Sequence, residues 1–123
     1  MLCDRYSDST LAYQLAARKL GDDALLRSML TFAECGIQAG LTLWFDLPIA
    51  VAAERMQQRV AGGEQATRLD RERASFHVRV ADSFAMQYQA EPQRIARIDA
   101  AQSIEDVAAD VVQMLASRYE VLR

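Results

Sequence analysis

Apolar residues recur along the chain in two rhythms, one suited to helices and one to strands. Residues 8–20 are predicted as a helix with Leu11, Leu15, Ala12 and Ala16 turned inward and Gly21 as its stop. Asp22-Asp23 caps a second helix, where Ala24, Leu25, Leu26, Met29, Leu30, Phe32 and Ala33 form a broad helical stripe ending near residues 36–40. That stripe is wider than one buried face needs, which suggests cover on two sides, by a sheet and by a partner subunit. The run 41–48, Leu-Thr-Leu-Trp-Phe-Asp-Leu-Pro, is predicted as a strand buried on both faces, as parallel strands are. Pro48 opens a helix over 49–60. Residues 61–73 hold Gly62-Gly63 and several charges without an apolar period, so they read as a mobile loop. A helix over 74–90, a short strand over 94–98 and a closing helix over 103–118 follow, with Ser103 and Asp106 as a capping pair. Met1-Leu2-Cys3 reads as the end of one more buried strand. The order β-α-α-β-α-loop-α-β-α gives an α/β fold with a parallel sheet.

Composition narrows the picture. Apolar content of 51% and charged content of 25% describe one soluble globular domain, or a piece of one, over 1–123. A net charge of −3 argues against a nucleic-acid polymer as partner. Cys3 and Cys35 stand far apart, so neither a metal site nor redox chemistry is indicated. No signal peptide is visible and no apolar run is long enough for a membrane span, so a cytoplasmic protein is expected.

Candidate chemistry concentrates in residues 3–14. An acid–base pair, Asp4-Arg5, stands where a strand gives way to a helix, beside unpaired N–H groups and the positive end of the helix dipole. An arginine there can take two phosphate oxygens at once, and Asp4 can orient it. Ser7, Asp8 and Ser9 are each suited to be the N-cap. Ser9 and Tyr13 share a helix face, with Thr10 and Gln14 on the next stripe. Taken alone, Asp-Arg-Tyr also reads as a surface ion pair and Ser-Asp-Ser as an ordinary cap.

The run D-R-Y-x-x-S-T-x-A-Y-Q at 4–14 resembles the signature of thymidylate kinases, P-loop enzymes that phosphorylate dTMP with ATP. Further matches are Leu41 to Pro48, Phe76 with Arg79-Val80 and Phe84, and Ile98-Asp99-Ala100. Together they align residues 1–119 with the C-terminal half of that family, a three-layer αβα fold with a parallel sheet. The resemblance implies phosphate binding at Arg5 (with Asp4), thymine contacts at Ser9 and Thr10, and a sugar contact at Tyr13 beside Gln14. It makes residues 61–73 a lid, with Arg55, Arg59, Arg68 and Arg71 closing over the transferring phosphates and Arg5, Arg59 and Arg71 as the catalytic group. It sets Asp99 and Ala100 in the loop bordering adenine. Asp46, at a strand end, either holds Mg²⁺ through water or caps the next helix; no metal ligand is assigned. His77, alone, is read as a helix-surface or half-buried residue.

The sequence departs from the family where Gln57 replaces an arginine and where the stretch after Asp70-Arg71 is shorter. It holds no G-x-x-x-x-G-K-[ST], the loop that cradles ATP phosphates. The chain is therefore expected to lack the family's N-terminal strands and P-loop. The implied function is dTMP kinase, ATP and Mg²⁺ included, acting as a homodimer. The alternative is a truncated non-catalytic remnant that binds a nucleotide or dimerises.

Overall fold

The computed structural model describes residues 1–19, 21–68 and 70–119, the side chains of 15–17 excepted. Two strands form among the described residues, β1 (Thr42–Asp46) and β2 (Ile95–Asp99). They pair in parallel, from Thr42 opposite Ile95 to Asp46 opposite Asp99. Such pairing requires a long crossover. Here α3 (Ile49–Ala61), the loop and α4 (Ala74–Ala90) supply it. The α/β class is thus as expected, and every element from 22 onward lies where the apolar rhythm puts it.

The strands are not equally covered. In β2, Ile95, Ala96 and Ile98 are all buried, because α4 and α5 (Ile104–Arg118) pack against it. In β1 Phe45 is 51% exposed, against the expectation of burial on both faces. No second strand pairs with β1 among the described residues, so one face and one edge stay open. Met1 to Cys3, expected as strand, are exposed and unpaired for the same reason: a strand exists only against a partner.

The first helix departs furthest from expectation. It begins as α1 (Ser7–Thr10) and continues as a π-helix over Leu11–Ala17. The side chains of Leu15 and Ala16, expected inward, lie outside the described residues. Ala12 is fully buried and packs with Phe76 and Val80 of α4, with Tyr13 and Phe84 around them. None of Ser7, Asp8 or Ser9 caps this helix; Tyr6 holds the N-cap position without a side-chain bond. The second helix, α2 (Asp23–Glu34), is capped as read, Asp22 accepting from the Leu25 N–H. Cys35 and Gly36 turn left-handed after it, with φ of 49° and 79°. Its apolar stripe is largely open to solvent, Phe32 at 86%.

Asp8 is buried because it has other work. Its carboxylate takes both guanidinium nitrogens of Arg94, at 2.7 and 2.8 Å, and the Thr42 hydroxyl at 2.8 Å. Its backbone carbonyl accepts from Gln87 of α4 at 3.0 Å. The helix is thereby tied to the start of β1, the residue before β2, and α4. Burial pushes the Asp8 carboxyl up, but the Arg94 and Thr42 hydrogen bonds and the Arg94 charge outweigh it, and its pKa lies below the ordinary value.

Two outcomes follow. Asp8→Asn is expected to cost about 2–3 kcal/mol in urea unfolding, since it leaves Arg94 without its counter-charge. Because the folded-state pKa is depressed, the pair's contribution is present above about pH 4 and is lost as pH falls through the folded value. The wild-type urea midpoint should therefore drop below about pH 4 more steeply than that of Asp8→Asn.

Candidate functional site

A cavity of about 480 Å³ opens between the first helix and α2. Its size suits a small-molecule ligand. Arg5 stands at one side, in the left-handed region with φ of 63°, a conformation uncommon for a residue with a side chain. Its guanidinium lies over the Tyr13 ring, 4.9 Å from the centroid, and donates to the Tyr13 hydroxyl at 3.5 Å. Ser9, Thr10 and Gln14 share the lining. The structure therefore brings five of the six predicted substrate residues into one concave place. Asp4 is the exception. It is exposed and, among the described residues, forms no ion pair with Arg5.

The opposite wall comes from α2 and the turn beyond it. Leu30, Ala33 and Glu34 line it, and the Tyr6 hydroxyl donates to the Ile37 carbonyl at 2.7 Å. Burial and the Glu34 charge raise the Tyr6 pKa, which keeps that hydroxyl a donor. Two lining residues, Glu34 and Arg18, were not singled out from the sequence. Arg18 enters the cavity from the far end of the π-helix, its guanidinium 5.4 Å above the Phe76 ring and 3.8 Å from Glu72.

The lid candidates sit on different supports. Asp70 accepts the Thr67 N–H and hydroxyl, both at 2.8 Å, and returns its own N–H to the Thr67 hydroxyl at 3.2 Å. These bonds hold the Asp70 carboxyl below the usual range. Arg59 pairs with Asp70 at 3.6 Å and with Glu64 at 3.9 Å. Arg68 and Arg71 are exposed on the same loop. Arg55 is placed elsewhere, against the lid assignment: it donates to the Ala100 carbonyl at 2.8 Å. It stands one helical turn nearer the start of α3, and so nearer the strand ends, than Arg59 does.

At the carboxyl ends of the strands, the Ala100 N–H donates to the Asp46 carbonyl and the Ala101 N–H to the Asp99 carboxylate, both at 2.9 Å. The Asp46 carboxylate holds the Arg97 Nε at 2.7 Å. It does not cap α3, whose N-cap is Pro48. Among the described residues no group of three His, Cys, Asp or Glu side chains comes together that could hold a metal ion.

A family model for thymidylate kinase matches residues 1–111. The chain belongs to the thymidylate kinase family. Thymidylate kinases of Lacticaseibacillus casei (strain BL23) and Lactiplantibacillus plantarum are 38% and 41% identical to it, over 99% and 96% of its length. That of Synechococcus sp. (strain JA-2-3B'a(2-13)) is 45% identical over 89%. The chain spans about half the length of these curated relatives, 56%, 52% and 49% respectively.

For a thymidylate kinase family chain, the signature 4–14 is then the part that builds the cavity, and its buried Asp8 is the part that fixes it to the sheet. Among the described residues no helix is long and apolar enough to cross a membrane.

The Thr67–Asp70 bonds make a prediction about the loop. Asp70→Ala should loosen the loop and speed tryptic cleavage at Arg68 and Arg71 several-fold, without shifting the urea midpoint. Unchanged cleavage would show that these bonds do not order the loop.

Proposed function

We propose that this chain is the monophosphate-binding and lid half of a dTMP kinase, which transfers the terminal phosphoryl group of ATP to dTMP and yields dTDP and ADP. One observation carries the reading: Arg5 is held over Tyr13 in a ligand-sized cavity together with Ser9, Thr10 and Gln14. The fork of Arg5 grips the dTMP phosphate, and its stacking on Tyr13 sets the direction of its donors. Ser9 and Thr10 offer hydroxyls to thymine, with Gln14 beside them, and the Tyr13 ring packs on the sugar.

Phosphoryl transfer needs positioning and fixed positive charge more than covalent chemistry. Residues 61–73 act as a mobile lid over the phosphates, where Arg59, Arg68 and Arg71 supply that charge. Arg59 must leave Asp70 and Glu64 to do so, a weak restraint for a half-exposed pair. Arg55 instead steadies Ala100 at the adenine border, next to Asp99. Mg²⁺ arrives with ATP as part of that substrate. In this reading the enzyme works in the cytoplasm as a homodimer.

The 123 residues contain no glycine–lysine loop, so turnover of ATP by this chain alone should be negligible; losing such a clamp costs several kcal/mol of barrier. Binding is the direct test. Calorimetry should give saturable dTMP binding that Arg5→Gln weakens, and no wild-type binding would overturn the reading. Tyr13→Ala should shrink the preference for dTMP over its ribonucleotide counterpart, and an unchanged preference would remove the sugar contact.

A second reading has its own observation. Leu25, Met29 and Phe32 of α2 are 57%, 58% and 86% exposed, an apolar face suited to a dimerising, non-catalytic module. A dimer in sedimentation that Phe32→Glu dissociates, without dTMP binding, would favour it.

A further inference from the structure

The π-helix does something an α-helix of the same sequence does not. An α-helix advances about 100° per residue, so Arg18 would lie about 140° around the axis from Tyr13 and face away from the cavity. Hydrogen bonds closed over five residues stack position 18 near position 13 instead. Both side chains consequently line one cavity.

Arg18 is also prepared for a ligand. Phe76, 4% exposed and locked in the core, is a fixed platform for the guanidinium 5.4 Å above it. Glu72 stands at 3.8 Å, beyond hydrogen-bond length. Among the described residues Arg18 has no other partner, so its N–H donors are available to a ligand.

Resting on the dTMP reading above, we propose that Arg18 is a substrate-binding residue that donates to a carbonyl oxygen of the pyrimidine. Arg5 stands over Tyr13 and Arg18 over Phe76, so the two guanidinium groups rest on separate rings whose centroids are 5.8 Å apart. The neighbour of Arg18 decides the ligand's charge. A phosphate there would meet the Glu72 carboxylate and be repelled, whereas a neutral carbonyl accepts from Arg18 without that cost. Since Glu72 lies within the 61–73 lid, the base would then be read beside the loop that closes over the site.

The test is calorimetric titration of the 123-residue chain with dTMP and, separately, with thymidine. Arg18→Gln should weaken both ligands by a similar factor, about tenfold, as expected for a charged hydrogen bond lost. Arg5→Gln should instead weaken dTMP and leave thymidine unchanged. Arg18→Lys, which keeps a cation over Phe76 and guards against a folding defect, should bind both ligands with intermediate affinity. Loss confined to dTMP would make Arg18 a phosphate ligand and overturn the proposal. Wild-type binding with no loss in Arg18→Gln would overturn this inference alone, and no binding by the wild type would overturn the dTMP reading with it.

Discussion

The rest of the structure depends on one partly buried ion pair. Asp8 belongs to the helix that lines the cavity, and Arg94 belongs to the residue before β2, 86 positions later in the chain. Their bidentate bond, with Thr42 on the same carboxylate, fixes a helix to a sheet with which it shares little apolar contact. Arg94 is held further by a close contact with Glu91, and the Asp8 bond raises its pKa, so the cation persists at any pH of interest. A hydrophobic contact would tolerate sliding. A two-point charged clasp fixes both distance and rotation.

From that clasp the site can be followed outward. Residues 9, 10, 13 and 14 take their places because residue 8 is anchored, and the core contact of Ala12 with Phe76 and Val80 holds the next turn. The π-helix then widens the helix where Tyr13 meets both Arg5 and Phe76, the Tyr13 and Phe76 rings lying 5.8 Å apart. Unusual backbone gathers at this place, with Arg5 left-handed at the entrance and the π-helix after it. Such strain persists where surrounding contacts over-determine it, and it is commonest at sites of function.

Much of this was legible in the sequence, and the exceptions share a cause. The helices from 23 onward and both strands showed themselves because their period and caps are local signals, as with Asp22 and Ser103. The cavity was legible through the 4–14 signature. Asp8 was read as a cap because its true partner is remote, and nothing local distinguishes a capping aspartate from a buried one. Over seven residues as alanine-rich as 11–17, helices of different pitch leave the same apolar pattern, so Arg18 stayed hidden. Met1 to Cys3 and Phe45 failed differently: their apolar character is a statement about neighbours that the described residues do not provide. Arg55 went to the Ala100 carbonyl because charge alone does not say which of several arginines a loop will keep.

The central claim is that Asp8 and Arg94 act as a coupled pair holding the cavity wall to the sheet. A double-mutant cycle of Asp8→Ala and Arg94→Ala, read as urea-unfolding free energies at neutral pH, tests it most directly. The account predicts a coupling of about 2 kcal/mol, the double variant being little worse than either single one. Additive losses with no coupling would contradict it.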